Sequence, residues 1–232
     1  MFKFKQFEIH QDKTPMKVGT DGVLIGAWTK VNTRDEYMLD IGSGTGLIAL
    51  MLAQRSSAMI DAVEIDEMSA EQALGNFKSS QWSERINIHN VNISHFTSNF
   101  KYDLIVSNPP FFSDSLLPPD KRRTTARHTT SLTFSDLISS VERLMSPDGR
   151  FSLILPLQES ALFEEEADGR LFLWRRCLVK SRENSDTKRV MSEYRLVRSS
   201  NIESGELAIR EVGSEEYTRD YRTLTADFYL KF

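Results

Sequence analysis

Three glycines at alternate positions, in the segment Asp40-Ile41-Gly42-Ser43-Gly44-Thr45-Gly46, constrain this chain more than any other feature. An apolar run, Tyr37 to Ile41, precedes them and a stretch of helical period, Leu47 to Gln54, follows, so the segment reads as a turn from a buried strand into a helix. Glycine admits positive φ and close approach, and the helix N-terminus beyond it presents unpaired N–H groups to a ligand. A tight turn with no ligand is the competing reading, but it has no need of three entropically costly glycines. The spacing is one residue shorter than the Gly-x-Gly-x-x-Gly dinucleotide fingerprint, which favours adenosylmethionine over a nicotinamide cofactor.

The rest of the chain supplies the scaffold such a loop needs. Ile60 to Glu64, Arg85 to Val91, Tyr102 to Val106 and Arg150 to Leu155 read as further strands. Helical segments over about Met68 to Lys78 and Phe134 to Met145 alternate with them, the second capped by Thr133 and followed by a turn at Pro147-Asp148-Gly149. This rhythm predicts a doubly wound α/β fold with a mostly parallel sheet. Beyond Pro156 a helix to Asp168 is followed by the runs Leu171 to Lys180, Val190 to Val197 and Glu206 to Arg210 without helices between them, which predicts an antiparallel edge. At 232 residues, with no repeat or linker, a single domain is expected.

Carboxylate and amide positions at strand ends extend the site. Glu64 closes the second strand, where nucleotide folds place an acid on ribose hydroxyls; Asp66 competes for that role, and a solvated strand-end acid is the plain alternative. Asn92, after the third strand, would offer an amide oxygen to an adenine amino group beside Ile93, although an Asx turn explains it equally. At the end of the fourth strand stands Asn108-Pro109-Pro110-Phe111. An exocyclic amine is a poor nucleophile because its lone pair is delocalised into the ring. Two acceptors, the Asn108 side-chain oxygen and the Pro109 carbonyl, would draw its N–H bonds out of that plane, with the carbonyl fixed by the prolines and Phe111 stacking on the base. A proline-rich turn with a core phenylalanine is the alternative, made remote by the glycine loop upstream.

These residues resemble the amino-methyltransferases that carry an Asn-Pro-Pro-aromatic motif. Together with Phe4-Lys5-Gln6-Phe7, His10-Gln11-Asp12 and Met16-Lys17-Val18-Gly19-Thr20-Asp21, they are similar to the bacterial tRNA(Val) adenine-N6 methyltransferase family. The resemblance runs through almost the whole chain, including Asp227 to Leu230, read as a terminal strand. It implies a Rossmann-like class I fold with a seven-stranded sheet, adenosylmethionine as cofactor, and methylation of N6 of the adenine beside the anticodon. It also implies that residues 1–36 complete the cofactor site, with Lys17, Thr20 and Asp21 over its methionine end and Asp40, Gly42, Gly44, Gly46, Glu64, Ile65, Asn92, Ile93 and Asn108 around the rest. Asn92 departs from the more usual aspartate.

Charge and composition limit the partners. Net charge is −4, so RNA binding requires a local basic surface. Lys121, Arg122, Arg123 and Arg127, with His128, follow the Asn-Pro-Pro-Phe tetrad and read as phosphate contacts beside its mouth, against the alternative of a solvated charge run. Residues 170–198 hold nine Arg or Lys against three acids, just after an acidic stretch from Glu159 to Asp168. One cysteine, Cys177, allows neither an intrachain disulfide nor a cysteine metal site, and His10, His89 and His95 lack metal-ligand spacing, so no metal is expected. Trp28, Trp82 and Trp174 read as packing. No leader or membrane-length apolar run is evident, which suggests a cytoplasmic protein with no membrane partner, taken as a monomer. A glutamine-amide N-methyltransferase shares the tetrad chemistry, although tyrosine is common at the fourth position there. Other rRNA or DNA amino-methyltransferases and a non-catalytic cofactor binder are further alternatives. The intact Asn108 argues against a binder, and the absence of room for a target-recognition domain argues against DNA.

Overall fold

Apolar segments long enough to be buried on both faces alternate with amphipathic ones, and the chain winds accordingly. A computed structural model describes residues 1–110 and 132–231. It opens with a hairpin of β1 (Phe2–Lys3) and β2 (Glu8–Ile9), then α1 (Thr20–Trp28). Next come β3 (Tyr37–Ile41), α2 (Leu47–Arg55), β4 (Met59–Glu64), α3 (Glu67–Lys78), β5 (Ile86–Asn90) and β6 (Tyr102–Ser107). The remainder is α4 (Phe134–Leu144), β7 (Met145–Pro156), α5 (Leu157–Glu166), β8 (Phe172–Arg182), β9 (Thr187–Arg195), β10 (Glu203–Arg210) and α6 (Arg219–Thr225).

The large sheet has the order β10-β8-β9-β7-β6-β3-β4-β5. β9 pairs antiparallel with β7 and β8, and the other neighbours pair in parallel, so the antiparallel edge falls where the helices stop intervening. The sheet holds eight strands, one more than the seven the resemblance implied: five from the alternating part of the chain and three from the runs beyond Pro156, the last of which, β10, pairs in parallel with β8. Strand order reverses between β3 and β6, which opens a crevice at their carboxyl ends. Alternation along each strand feeds two cores: Met38, Leu104 and Val106 face one cluster with α1, α2 and α3, while Leu39, Ile41 and Ile105 face the other with α4. Each large side chain buried in this way stabilises by roughly 1.5–3 kcal/mol.

Side-chain caps start three helices where the sequence offers an oxygen: Asp66 accepts from Ser69 N at 2.8 Å, Thr133 from Asp136 N at 3.0 Å and Thr218 from Tyr221 N at 3.2 Å. Such a cap is worth about 1 kcal/mol. Two local expectations are corrected. Asp227 to Leu230 is not a strand: turns follow α6 there, and the segment is held by the buried Phe228, whose carbonyl accepts Lys5 N at 2.8 Å. Pro147-Asp148-Gly149 lies inside β7 as an irregularity, the pairing with β6 jumping from Tyr102↔Met145 to Leu104↔Arg150. A Cβ at Gly149 would stand 2.9 Å from the Tyr102 carbonyl oxygen, so the detour is built around glycine.

Candidate active site

The carboxyl ends of β3, β4 and β6 border a cavity of about 470 Å³. Its floor is the glycine loop. Gly42 and Gly44 have φ of +74° and +53°, and a Cβ built on either would meet nothing within 4 Å, so both open onto free space. Gly46 differs: its φ is +80° and a Cβ would lie 2.3 Å from the Phe77 ring, so this glycine brings the start of α2 against α3. The loop is fastened below by Gly42 N and Ser43 N, which donate to Val63 O at 2.8 and 3.2 Å.

Asp40 is fully buried; one carboxylate oxygen accepts Ala49 N at 3.1 Å and the other has no partner. Burial pushes its pKa up to about 7, the Ala49 N–H opposes that, and the Glu64 charge adds to the rise. Glu64 reaches back to the loop: its oxygens accept Gly44 N at 2.8 Å and Asp66 N at 2.9 Å. Each oxygen keeps further lone-pair capacity, so the carboxylate can brace the loop and still accept from hydroxyls. Asp66 is committed to its helix cap. Asn92 forms the Asx turn, its side-chain oxygen accepting Ser94 N at 2.9 Å, which uses one of the two lone pairs of the atom expected to meet an adenine amine. Ile65, Ile93 and Val91 line the same wall.

On the opposite side Thr20 and Asp21 open α1 and line the cavity. Asp21 accepts from Arg189 Nε at 2.8 Å. Lys17 lines it too, although its ammonium donates to the carbonyls of Gln11 and of Thr14, the latter at 3.1 Å. Asn108, Pro109 and Pro110 enter from the end of β6, held against β3 by Ser107 Oγ donating to Ile41 O at 2.9 Å. The Asn108 side-chain oxygen is buried and has no hydrogen-bond partner. A Cβ on Gly22 would lie 3.9 Å from its amide nitrogen, so the first turn of α1 abuts this side chain. Phe111, Lys121, Arg122, Arg123 and Arg127 lie outside the described residues. Val18 lines the cavity within the segment Lys17 to Asp21 expected there, and Thr14, Met16, Ser43 and Ser69 line it too without having been assigned; of these, Met16 and Ser43 carried a signal, by their places inside the quoted motifs.

These features fit adenosylmethionine. The open cradle at Gly42 and Gly44 admits a ligand against the backbone, and unpartnered buried atoms at Ser43 and Asn108, both on residues that line the cavity, await a polar group. Other buried atoms without partners, among them Thr29 Oγ1, Gln54 Oε1 and Ser152 Oγ, lie on residues that do not line the cavity. Among the described residues no group of three or more His, Cys, Asp or Glu could hold a metal ion.

Comparison with known proteins agrees. The methyltransferase small domain model matches residues 22–155. A Trichodesmium erythraeum protein named tRNA1(Val) (adenine(37)-N6)-methyltransferase is 46% identical over 237 residues, covering 100% of this chain and 98% of its own. Proteins of the same name from Flavobacterium psychrophilum and Bacteroides fragilis are 44% and 43% identical, with 100% and 99% of this chain covered and 100% and 98% of theirs. In fold, the chain is similar to the Agrobacterium tumefaciens protein Atu636, a predicted O-methyltransferase, with TM-score 0.71 at 19% identity over 90% of this chain and 96% of that one. It also resembles the glycopeptide N-methyltransferase MtfA, solved with S-adenosyl-L-methionine, with TM-score 0.56 at 13% identity over 78% and 89% of the two chains. The chain is thus an adenosylmethionine-dependent methyltransferase of the small-domain class and belongs to the tRNA1(Val) (adenine(37)-N6)-methyltransferase family.

Proposed function

We propose that this protein methylates N6 of adenine 37 in tRNA1(Val), the substrate in its relatives' name. The observation that carries the reading is the buried, unpartnered side-chain oxygen of Asn108 in the wall shared with the glycine loop. Leaving a buried acceptor unpaired costs about 1–3 kcal/mol, a penalty that a substrate N–H removes.

Adenosylmethionine supplies an electrophilic methyl group. Gly42, Gly44 and Gly46 shape its cradle, Glu64 accepts from its ribose, Ile65, Asn92 and Ile93 border its adenine, and Asp40, Lys17, Thr20 and Asp21 lie toward its methionine end. Asn108 Oδ1 and the Pro109 carbonyl each accept one N–H of the target amine and favour a pyramidal nitrogen whose lone pair points away from the ring. As the N–C bond forms, the methyl–sulfur bond would break and leave adenosylhomocysteine, and one proton of the methylated amine passes to solvent or to these oxygens, so no tuned general base is needed. Phe111 stacks on the base, and Lys121, Arg122, Arg123 and Arg127 contact phosphates. The target must leave its stack at a cost of a few kcal/mol, which is lower in an unpaired loop. We read the protein as one domain, with residues 1–36 completing the cofactor site, acting as a cytoplasmic monomer. None of its described helices is long and apolar enough to cross a membrane.

The test is incubation of total tRNA lacking the modification with protein and adenosylmethionine, followed by nucleoside mass analysis. N6-methyladenosine at the anticodon-adjacent position of valine tRNA is expected. Methyl incorporation into a release-factor glutamine, with none into RNA, overturns the proposal.

A further inference from the structure

Residues 10–18 form neither helix nor strand, yet they run along one face of α3 and enter the cavity wall at Thr14. Such a stretch is expensive to order, so something must hold it. Three α3 side chains at helical spacing do so. Asn76 Oδ1 accepts His10 N at 2.9 Å and its Nδ2 donates to His10 O at 2.9 Å. Gln72 Oε1 accepts Lys13 N at 3.0 Å, and Ser69 Oγ meets Thr14 Oγ1 at 3.1 Å. The strap is also closed on itself, Gln11 Oε1 accepting Val18 N at 2.7 Å.

Asn76 makes one further bond. The same Nδ2 donates to Thr45 O, inside the glycine loop, at 2.9 Å. This amide is 1% exposed and does not line the cavity, so it has no part in direct ligand contact. It nevertheless touches both the strap and the loop. Removing it leaves the half-buried N–H and carbonyl of His10 and the buried carbonyl of Thr45 without their partner.

We propose that Asn76 is a positioning residue for the cofactor, joining the strap of residues 10–18 to the glycine loop so that both walls of the cavity set together. The inference rests on reading this cavity as the adenosylmethionine site. Asn76 acts through the loop backbone at Thr45 and through the strap that carries Thr14, Met16, Lys17 and Val18 to the cavity.

Asn76→Ala and the milder Gln72→Ala, which removes a single acceptor, test the proposal. Titration calorimetry with adenosylhomocysteine should show Kd raised roughly tenfold for Asn76→Ala and about threefold for Gln72→Ala, the scale of one or two net hydrogen bonds. Hydrogen exchange of ligand-free Asn76→Ala should speed up in residues 10–18 and also at residues 43–46. With unmodified tRNA as acceptor, KM for adenosylmethionine should rise in step while kcat at saturation stays within twofold, a split that general destabilisation does not produce. If wild-type protein binds adenosylhomocysteine and both variants bind it equally well, the positioning role is overturned while the cofactor site stands. If wild-type protein does not bind it, the cavity reading fails and takes this inference with it. Faster exchange confined to the strap, with the loop unchanged, overturns the coupling.

Discussion

Asp40 and Asp61 are buried carboxylates on the adjacent strands β3 and β4, and their surroundings differ. Asp61 sits among groups that satisfy it fully: Tyr102 OH donates to one oxygen at 2.6 Å, while Asn87 Nδ2 and His89 Nε2 lie 3.2 and 2.8 Å from the other. Burial alone would raise its pKa, but the hydrogen bonds from His89, Tyr102 and Asn87 win and hold it below the ordinary value. Asp40, beneath the glycine loop, has one N–H partner and one bare oxygen, and it is held upward. Asp61 is saturated by its neighbours, whereas Asp40, beneath the glycine loop, is left one partner short.

The largest effect should come from the unsaturated end. Asn108→Ala should lower kcat by roughly 10²-fold with RNA and cofactor affinities unchanged, as for a contact made mainly in the transition state. Asn108→Asp keeps an acceptor and should retain more activity. Single-turnover methylation decides this, and full activity of the alanine variant would remove Asn108 from the chemistry.

Next come the glycines, which divide by purpose. Gly46→Ala should destabilise by about 3 kcal/mol, combining left-handed backbone strain of about 1–2 with overpacking against Phe77 of about 1–3. Gly42→Ala meets no protein atom and should cost only the strain in denaturant titrations, yet weaken cofactor binding by filling the cradle. Equal affinity losses in both variants would erase the distinction.

At the saturated end, Tyr102→Phe should cost about 1.5–3 kcal/mol by stripping a hydrogen bond from a buried carboxylate, with kcat unaltered. A drop in kcat would mean that the two ends are coupled.

A further contrast is in pH dependence, where the carboxylates carry opposite signs. Asp61, with its folded pKa lowered, contributes stability that is present at neutral pH and lost as pH falls through that pKa. Asp40, raised from 3.8 to about 7, favours the folded state least once ionised, so its penalty is absent below about pH 4 and grows toward pH 7. Asp40→Asn, which keeps an acceptor for Ala49, should therefore flatten the decline in Tm between pH 4 and 7 in ligand-free protein. An unchanged decline would locate the titration elsewhere.

Sequence periodicity revealed β3, β4, β6 and the later part of β7 because strands buried on both faces are largely apolar, and it revealed the edge strand β5 by its alternation. It also revealed the glycine loop, whose composition is its geometry. α1 gave no periodic signal, since Gly22 to Ala27 are all buried and no polar face marks the helix. Asp227 to Leu230 looked like a strand because aromatic burial, here of Phe228 near the N-terminal hairpin, imitates strand composition. At the site, Asn108 and Glu64 were legible from their places at strand ends. The Asx turn of Asn92 was one of the two readings the sequence offered; the bond of Glu64 to Gly44 was not legible, because it depends on how the backbone turns rather than on residue type. The Asn76 contacts span 31 and 66 residues, beyond any local pattern.

The eighth strand has a consequence for the molecule among its neighbours in solution. β10 lies over the flank of β8, whose main chain would otherwise offer unpaired N–H and C=O groups beside Leu178 and Val179 to another sheet. Its own outer flank opens with Glu203, Ser204, Gly205 and Glu206, all exposed, a stretch poorly suited to accept a further strand. This edge of the sheet thus ends on charge and glycine, which opposes strand-to-strand polymerisation.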